Sequence, residues 1–509
     1  MAKHPASLTL PDLISWMRQH AAGANLSADS RQIQRGDIFF AVATAAGNGR
    51  AYIEAAIEAG AVAVVYQADP SQPEPVISVA NVAVNNLQQQ LGEIARLWYQ
   101  DATAEWLNIA ITGTNGKTSC SQWLARAISL LDKPTAVVGT LGSGVFQDGQ
   151  LASLRETGFT TPDALQLHSS LAGLARQGAR ALAIEASSIG LEQGRLQGLH
   201  FDVAVFTNLT RDHLDYHGDM ATYAAAKRAL FAWPGLQLAV LNLDDETGLD
   251  WARQLQQTAG LQVLGYSLNA AATATGLPTL LASHIKTTYS GTSFHLDSPF
   301  GSAHVKTQLV GRFNVSNILA VMAVLLGRGY ALSKVLHVIE KLQPVAGRMQ
   351  LLGNPHSVMV VIDYAHTPDA LEKTLQSLQE VARERHGKLW CVFGCGGDRD
   401  PGKRPQMGKI AEQADYALVT SDNPRSEEPA AIIQAILAGM SSQALVQEDR
   451  ASAILYAIKH AAPEDVVLLA GKGHESYQEI KGKKWPFSDA EHAALALATV
   501  ATSATLKRG

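Results

Sequence analysis

One stretch, LNIAITGTNGKTSCSQWL at residues 107–124, constrains the fold more than any other part of the chain. Its apolar run LNIAI predicts a buried strand, and Leu124, Ile128 and Leu131 recur at helical spacing after the turn. Strand, glycine-rich turn and helix in this order form the phosphate-binding unit of α/β proteins. Short β-like runs alternate with helical patterns along most of the chain. The sequence therefore predicts α/β domains with mostly parallel sheets.

The turn differs from the usual pattern G-x-x-x-x-G-K-[ST], which would place its first glycine where this chain has Ile111. We interpret it as a shorter variant; the alternative is a plain strand-to-helix turn that happens to contain G-K-T. Backbone N–H groups of such a turn can bind phosphate oxygens, a lysine adds charge, and a threonine hydroxyl can bind magnesium. The predicted nucleotide-binding residues are Gly113, Thr114, Asn115, Gly116, Lys117, Thr118 and Ser119.

Length and composition limit the class of protein. A chain of 509 residues is too long for one core, and polar breaks near residues 100–106 and 342–355 divide it into predicted domains 1–104, 105–345 and 346–509. With 47% hydrophobic and 17% charged residues and a net charge of −5, we expect a folded cytoplasmic protein, a monomer, with no nucleic acid or membrane as partner. The three cysteines predict buried thiols rather than a zinc site.

Carboxylates and histidines gather downstream of the turn. Glu185 ends the apolar run of LAIEASSIG, and a carboxylate at a strand end beside a nucleotide loop is a good magnesium ligand. The segment 206–231 then places Asp212, His213, Asp215 and His217 in one short loop before a helix. Surface loops also collect such residues by chance. Lys227, one turn after Tyr223, would by itself be an ordinary solvated helix lysine.

A set of motifs through the whole chain carries a resemblance to a known family. They are T-G-T-N-G-K-T (112–118), E-A-S-S (185–188), F-T-N-L-T-R-D-H-L-D-Y-H (206–217), G-R-F-N-V-S-N (311–317), G-R-M (347–349), D-Y-A-H-T-P-D (363–369) and G-C-G-G-D-R-D (394–400). In this order they resemble the Mur ligases, ATP-dependent amide-forming enzymes of peptidoglycan assembly. The resemblance implies an N-terminal UDP-binding α/β domain, a central P-loop ATPase domain with a mostly parallel sheet, and a C-terminal Rossmann-like domain.

The same resemblance implies roles in the ATP site. Lys227 matches a lysine that family members carry as a carbamate, made with carbon dioxide, and His213 matches a ligand of the same second magnesium ion. The implied metal ligands are Thr118, Glu185, His213 and Lys227, and the implied catalytic residues are Lys117, Glu185, His213 and Lys227. Asn314 and Asn317 match positions near the adenine, Arg348 a phosphate contact and Asp363 a ribose contact.

Other matches concern the UDP substrate. The D-S-R and G-D-I-F-F runs at 29–40 match the family's UDP-binding domain, and the residues implied beside the uridine or diphosphate are Ala28, Ser30, Ala45, Ala46 and Gly47. The residues implied at the sugar-peptide portion are Thr160, Thr161, Ser187, Gln193 and Arg195. The family often has histidine after the paired serines, where this chain has Ile189, so we assign that position no polar role.

The run SDNPRSEEP at 421–429 concerns the incoming amino acid. Read alone, it is a surface turn. In the family, D-N-P-R marks the members that add meso-diaminopimelate, whose far carboxylate a guanidinium can bind as a bidentate pair, whereas the ammonium of lysine would be repelled. The implied acceptor residues are Arg399, Asp422, Asn423, Pro424, Arg425, Gly471 and Glu475.

The implied substrates are therefore ATP, UDP-N-acetylmuramoyl-L-alanyl-D-glutamate and meso-diaminopimelate. The expected reaction activates the D-glutamyl γ-carboxylate as an acyl phosphate, which the amine then attacks. Alternatives are a lysine-adding member, a folylpolyglutamate synthase-like ligase, which lacks the N-terminal UDP domain, and a nucleotide switch that makes no bond. The run VFGCGGDRD also invites a dinucleotide interpretation, but it does not match G-x-G-x-x-G.

Overall fold

The structure is a computed structural model that describes residues 8–44, 47–288, 290–353, 357–441 and 444–506. The chain divides into two compact units. The first comprises Met1–Thr112, Ile128–Ala204 and Ala226–Gln237, and the second comprises Gly113–Ala127, Val205–Ala225 and Leu238–Gly509. Among the residues described, no helix combines the length and the apolar character that crossing a bilayer requires.

The N-terminal segment is a small parallel sheet with helices. Its elements are α1 (Leu10–His20), β1 (Leu26–Ser27), β2 (Ile38–Ala41), β3 (Ala43–Thr44), β4 (Gly47–Asn48), α2 (Ile53–Glu58), β5 (Ala63–Gln67), β6 (Ala80–Val84) and α3 (Leu87–Trp98). The sheet order is β1-β2-β5-β6, all parallel. Both faces are covered, because Ile38 and Phe40 pack into one core cluster while Phe39 and Ala41 pack into another.

The middle of the chain begins with the strand predicted at 107. Its elements up to residue 228 are β7 (Leu107–Thr112), α4 (Lys117–Leu131), β8 (Thr135–Gly139), β9 (Gly142–Gln147), β10 (Gln150–Leu151), α5 (Ala164–Arg176), β11 (Ala181–Glu185), α6 (Ser188–Glu192), β12 (Val203–Phe206), α7 (Leu214–His217) and α8 (Met220–Arg228). In the first unit, β7, β11 and β8 pair in parallel, and β9 and β10 add antiparallel strands beyond β8. Residues that follow β7, β8 and β11 thus leave the same edge of the sheet.

In the second unit, parallel strands are followed by antiparallel strands. Its elements to residue 339 are β13 (Leu238–Asn242), α9 (Glu246–Leu255), β14 (Gln262–Ser267), β15 (Thr279–Thr288), β16 (Gly291–Asp297), β17 (Ala303–Thr307), α10 (Arg312–Gly327) and α11 (Leu332–Ile339). Strands β13, β14 and β15 are parallel, whereas β15, β16 and β17 form antiparallel pairs. Helix α10 is apolar nearly all round and almost completely buried, as a helix enclosed by protein must be.

The C-terminal segment forms a mostly parallel sheet with helices. Its elements are β18 (Gln350–Leu352), β19 (Met359–Asp363), α12 (Pro368–Glu384), β20 (Leu389–Phe393), α13 (Lys403–Ala411), β21 (Tyr416–Val419), α14 (Pro429–Leu437), β22 (Leu445–Val446), α15 (Arg450–His460), β23 (Val466–Ala470), β24 (Tyr477–Ile480), β25 (Lys483–Pro486) and α16 (Asp489–Leu506). The order is β18-β19-β23-β20-β21-β22, parallel except for β18, and β24 pairs with β25 as a separate hairpin. Alternate residues of β23 enter core clusters on opposite faces of the sheet.

The predicted domain limits fall between elements. The break at 104/105 precedes β7, and the break at 345/346 lies between the end of α11 and the start of β18. The two compact units follow a different division of the chain, so the three-domain limits stay a prediction.

Candidate active site

The turn between β7 and α4 contains two glycines whose surroundings exclude a side chain. Gly113 and Gly116 have φ angles of +143° and +88°. A Cβ atom on Gly113 would lie 1.9 Å from Oγ1 of Thr207, and one on Gly116 would lie 2.5 Å from Oδ1 of Asn317. Ile111, where a longer loop would have its first glycine, is a fully buried residue of β7. The turn is therefore a complete short loop rather than a long loop with a defect.

Residues after β12 anchor this loop. The N–H of Thr114 donates to the Asn208 carbonyl at 2.8 Å, and the N–H of Asn115 donates to Oδ1 of Asn208 at 2.9 Å. The Asn115 carbonyl accepts from the Asn208 amide at 3.1 Å and from the Thr207 hydroxyl. The hydroxyls of Thr114 and Tyr223 lie 3.1 Å apart, and burial raises the pKa of Tyr223. The backbone of the loop is thus fixed from one side by side chains far away in sequence.

Two cationic side chains, one from the loop and one from far along the chain, lie at the start of α4. Nζ of Lys117 donates to the carbonyls of Gly113 and Thr114 at 2.9 and 2.8 Å, so the ammonium folds back over its own turn. Nη2 of Arg348 donates to Oγ1 of Thr118 at 3.2 Å, which brings a second cation to the loop. The Arg348 guanidinium also lies 4.3 Å from the ring centre of Tyr364. Helix start, lysine and arginine together make a strongly anion-attracting site.

The other predicted nucleotide contacts have structural partners of their own. The Asn314 amide donates to the Val310 carbonyl at 2.9 Å at the start of α10. The Asp363 carboxylate, at the end of β19, accepts from the Met349 N–H at 2.8 Å and from the Thr374 hydroxyl at 3.4 Å. Burial raises the pKa of Asp363. In this structure Asp363 holds the turn that presents Arg348; its predicted ribose contact stays a prediction.

Glu185 lies in the first unit at the end of β11, where the sequence predicts it, and it is buried. Oε1 accepts from the N–H of Thr140 at 2.9 Å, and Oε2 accepts from the Thr140 hydroxyl at 3.1 Å. Thr140 follows β8 directly, so two parallel strand ends place donor and acceptor together. The Thr140 hydroxyl is also 3.1 Å from that of Thr160.

The residues predicted for the sugar-peptide portion converge on the same place. The Thr161 hydroxyl donates to the Glu185 carbonyl at 2.7 Å and lies 3.0 Å from the Ser187 hydroxyl, which caps α6. Arg195 donates to the Thr161 carbonyl at 2.8 Å and to Oε1 of Gln193 at 2.7 and 3.0 Å. The Arg195 guanidinium lies 5.0 Å from the exposed ring of Phe159. Thr161 and Ser187 thus lie next to Glu185, and Arg195 joins them through the Thr161 carbonyl.

The two remaining candidate metal ligands differ in exposure. His213 has a left-handed φ of 54°, its side chain is 45% exposed, and its Nε2 lies 3.5 Å from Asp212. Lys227 is 1% exposed within α8, so its interpretation from local pattern as a solvated lysine is wrong. An ammonium in such a place is costly unless an anion or a chemical change compensates for it. Within the described part of the chain, no cluster of three or more His, Cys, Asp or Glu side chains is arranged to hold a metal.

The predicted uridine contacts that the structure describes lie in the N-terminal segment, after β1 and in β4. Ala28 and Ser30 come just after β1, where Asp29 accepts from the Arg31 N–H at 3.0 Å and pairs with the Arg31 guanidinium. Gly47 lies in β4 and is exposed. Ala45 and Ala46 lie outside the described residues.

The acceptor loop, residues 421–425, leaves the end of β21 beside the segment after β23. The Asn423 amide donates to Oε2 of Glu475 at 2.7 Å, and its Oδ1 accepts from Nζ of Lys472 at 3.0 Å. Arg425 has a φ of 51°, and its Nη1 donates to the Gly397 carbonyl at 2.7 Å. The Gly471 N–H donates to the Asp363 carbonyl at 3.1 Å. Asp422 and Pro424 are buried in this loop, whereas Arg399 is exposed.

Comparison with known proteins identifies the chain. Three family models match it in order: the Mur ligase family catalytic domain over residues 24–99, the Mur ligase middle domain over 111–325, and the Mur ligase glutamate ligase domain over 347–473. The chain belongs to the Mur ligase family. Members of this family are ATP-dependent, amide-forming ligases, and the predictions of that class and of the fold are confirmed.

Individual Mur ligases are similar to this chain over nearly its whole length. A protein of Janthinobacterium sp. (strain Marseille), named UDP-N-acetylmuramoyl-L-alanyl-D-glutamate--2,6-diaminopimelate ligase, is 55% identical over 494 residues, 96% of this chain and 97% of that protein. A protein of the same name from Ralstonia nicotianae (strain ATCC BAA-1114 / GMI1000) is 50% identical over 505 residues, 97% of each chain. A solved structure of an enzyme of that name is 37% identical with a TM-score of 0.64, covering 93% of this chain and 94% of that one.

Several residues of this Mur ligase were not predicted for the site although they shape it. Thr207, Asn208 and Tyr223 fix the phosphate loop, and Thr140 binds Glu185. Lys472, after β23, donates to Asn423 of the loop at 421–425 and was not predicted either. Thr207 and Asn208 had a detectable signal, since they are the first two residues after the buried strand β12 and stand within the motif F-T-N-L-T-R-D-H-L-D-Y-H. The others make contacts across long sequence separations that no local pattern encodes.

The cysteines of this Mur ligase are all buried thiols, as predicted. Burial raises the pKa of both Cys391 and Cys395 to about 12. Such thiols are protonated and are poor metal ligands.

Proposed function

We propose that this chain joins the amino group of meso-diaminopimelate to the D-glutamyl γ-carboxylate of UDP-N-acetylmuramoyl-L-alanyl-D-glutamate, with cleavage of ATP to ADP and phosphate. The observation that carries the proposal is the short phosphate loop on which Lys117 and Arg348 converge. The relatives named as diaminopimelate ligases support the same reaction.

The chemistry must turn a carboxylate into an electrophile. The γ-carboxylate oxygen attacks the γ-phosphorus of ATP, ADP leaves, and the acyl phosphate forms. The neutral amine then attacks the acyl carbon to give a tetrahedral intermediate, which expels phosphate and loses a proton to form the amide. Lys117 and Arg348 offset the charge that builds up on the transferred group. On ATP binding we expect the Lys117 ammonium to leave the carbonyls of Gly113 and Thr114 and to bind phosphate oxygens instead.

Magnesium and a carbamate belong to the proposal as well. Glu185, a buried carboxylate, and Thr118, whose hydroxyl lies at the loop, have the oxygen chemistry that magnesium prefers. Buried Lys227 fits a carbamate, because carbon dioxide would replace its ammonium with an anion able to bind a metal ion. His213 stays a predicted ligand. Bound magnesium would neutralise phosphate charge during transfer.

The predicted UDP-substrate residues fall into two sets. Ser30, at the start of a short 3₁₀ turn after β1, and Gly47, in β4, belong to the N-terminal segment. Thr161 and Ser187 lie next to Glu185, and Arg195 contacts Thr161. We assign the first set to the nucleotide and the second to the sugar-peptide. The cytoplasmic location and the monomeric state stay predictions.

A coupled assay of ADP release tests the proposal. With ATP and magnesium present, ADP should form only when both the UDP-dipeptide and meso-diaminopimelate are added, one ADP for each amide. ADP release that ignores either substrate would instead support a nucleotide switch or a different ligase. Lys117→Ala, with the fold checked by circular dichroism, is the matched negative control.

A further inference from the structure

A cleft of about 550 Å³ lies at the carboxyl ends of β13 and β14 in the second unit. Its wall is built by the residues that follow these two strands, by helix α9 and by the first residue of α10. Clefts at the carboxyl ends of parallel strands are the usual ligand sites of α/β sheets, and this volume suits a small molecule. The lining side chains include Leu243, Leu249, Arg253, Leu268, Asn269 and Arg312.

The cleft is separate from the predicted ATP contacts. Among the described residues that line it, none belongs to the phosphate loop at 113–119. Arg312 starts α10 and is exposed, whereas Asn314, a predicted adenine contact, is buried. Side chains two positions apart on a helix point about 200° apart around its axis. The cleft therefore lies on the side of α10 that faces away from the predicted adenine contact.

Two guanidinium groups make the cleft attractive to an anion. In the part of the chain that the structure describes, no hydrogen bond or ion pair engages the side chain of Arg312. Nη1 of Arg253 lies 3.9 Å from Oδ1 of Asp250, and the two side chains are 59% and 67% exposed. Such an exposed pair contributes little, so a ligand can replace it. Both guanidinium groups can therefore bind the oxygens of a phosphate.

The carboxylate that lines the cleft, Asp244, is already bound by its neighbours. Its Oδ1 accepts from the Ser267 hydroxyl, and its Oδ2 accepts from the Leu268 N–H at 2.7 Å. These bonds join the segment after β13 to the segment after β14 and offset part of the negative charge. The balance of charge in the cleft therefore favours an anion.

The other lining groups suit the base of a nucleotide. Leu243, Leu249 and Leu268 provide apolar surface for the face of a ring. Oδ1 of Asn269 accepts from the Ala271 N–H at 3.0 Å, so the exposed NH₂ group of the same side chain is left to donate to the edge of a ring. Apolar surface, an amide donor and two guanidinium groups thus meet in one cleft.

We propose that this cleft is a second nucleotide site, which binds a nucleoside monophosphate with its phosphate on Arg253 and Arg312 and its base against the leucines. A free phosphate lacks the apolar contacts, and a nucleoside leaves the guanidinium groups without an anion. Both parts of the ligand are needed for tight binding.

The wall of the cleft is connected to the phosphate loop through Asn242 and Asp245, which flank the lining residues after β13. The Asn242 amide donates to the Thr207 carbonyl at 2.7 Å, and the Asp245 carboxylate accepts from the Leu209 N–H at 2.7 Å. The segment 207–209 in turn fixes the backbone of the phosphate loop. A ligand that orders this wall also orders the loop, so it should strengthen ADP binding there, and ADP should strengthen its binding equally.

Calorimetric titration of UMP and AMP into the full chain tests the proposal. Excess ADP, magnesium and UDP-N-acetylmuramoyl-L-alanyl-D-glutamate are present, so that the sites for both substrates are filled. One equivalent of UMP or AMP should bind, and uridine and inorganic phosphate should each bind at least about tenfold more weakly. The base that binds more tightly identifies the kind of nucleotide.

Two variants and a control assign the binding to the cleft. Arg253→Gln and Arg312→Gln should each weaken it about tenfold or more, the usual scale of a lost charged hydrogen bond. Arg383→Gln, which changes an exposed arginine of α12 outside the cleft, should leave it within about twofold. In the wild type, the ligand should slow hydrogen exchange at 243–249 and 268–275, measured by mass spectrometry. In a separate titration without excess ADP, UMP or AMP should lower the Kd for ADP about fivefold.

Several results would overturn the proposal. They are no saturable binding of UMP or AMP, binding that both arginine variants retain, and protection from exchange confined to other segments. Inorganic phosphate that binds as tightly as the nucleotides would reduce the cleft to an unselective anion patch. An unchanged Kd for ADP would refute the link to the phosphate loop. The comparison of ligands and the exchange measurement use the wild type, so they do not depend on any variant folding.

Discussion

The ion pair between Arg450 and Asp489 gives a stability prediction with a magnitude. Both side chains are 0% exposed; Nε and Nη2 of Arg450 donate to the two Asp489 oxygens at 2.8 and 2.7 Å. Nη2 also donates to the Ala470 carbonyl at 3.0 Å, and Nη1 to the Ser421 carbonyl at 3.4 Å. Asp489→Asn leaves a buried guanidinium without its anion, for which we expect a loss of roughly 3 kcal/mol or more in unfolding free energy.

The same pair contacts both segments that carry predicted acceptor residues. Ala470 and Ser421 directly precede Gly471 and Asp422, so the guanidinium holds the start of two acceptor segments. We therefore expect Asp489→Asn to raise KM for diaminopimelate and to leave KM for ATP nearly unchanged. Arg450→Met with Asp489→Leu should recover most of the lost stability, because an apolar pair leaves no unpaired buried charge.

The assay must report on the C-terminal segment, since a chain of several domains does not unfold in one two-state step. Hydrogen exchange of amides in β20 and β23, measured by mass spectrometry, provides this. A loss of 3 kcal/mol corresponds to opening that is about 150-fold more frequent. Glu428→Gln, which removes an exposed pair, should change the stability by less than about 0.5 kcal/mol. A loss below about 1 kcal/mol in Asp489→Asn would refute the reasoning.

Three further predictions concern the phosphate loop and the metal site. Gly116→Ala, whose new Cβ would meet Asn317 at a φ of +88°, should raise KM for ATP by about fivefold or more while the UDP-dipeptide binds normally; unchanged ATP kinetics would contradict the loop geometry. Lys117→Ala should lower kcat by about 10²–10³-fold with little change in thermal stability, and near-normal turnover would contradict the assignment of Lys117 to the ATP site. Lys227→Ala should lose most activity and regain part of it with added short carboxylates; a bare ammonium at Lys227 in a crystal structure of the nucleotide complex would argue against the carbamate.

The phosphate loop and Glu185 could be placed from sequence because both stand at the ends of buried strands. Parallel pairing brings such ends to one edge, so position along the chain translates into position in space. The antiparallel strands β15, β16 and β17 were not anticipated, because short apolar runs carry no sign of strand direction.

Other features depend on contacts that the sequence does not encode locally. Tyr223 meets Thr114 across 109 positions of the chain, and Thr140 meets Glu185 across 45. The local pattern alone indicates a solvated Lys227, because lysines on helices usually are solvated, and only the family resemblance assigns it a role; tertiary packing buries it. The hairpin that brings Glu479 to Arg425 is likewise set by tertiary pairing.

Competition between two acceptors tests the central claim most directly. The wild type and Arg425→Ala are each given ATP, magnesium, UDP-N-acetylmuramoyl-L-alanyl-D-glutamate and equal amounts of meso-diaminopimelate and L-lysine, and the products are identified by mass spectrometry. The account predicts that the wild type forms the diaminopimelate product in large excess, with one ADP for each amide, and that Arg425→Ala loses most of this preference. A lysine product that predominates in the wild type, or an undiminished preference in Arg425→Ala, would contradict it.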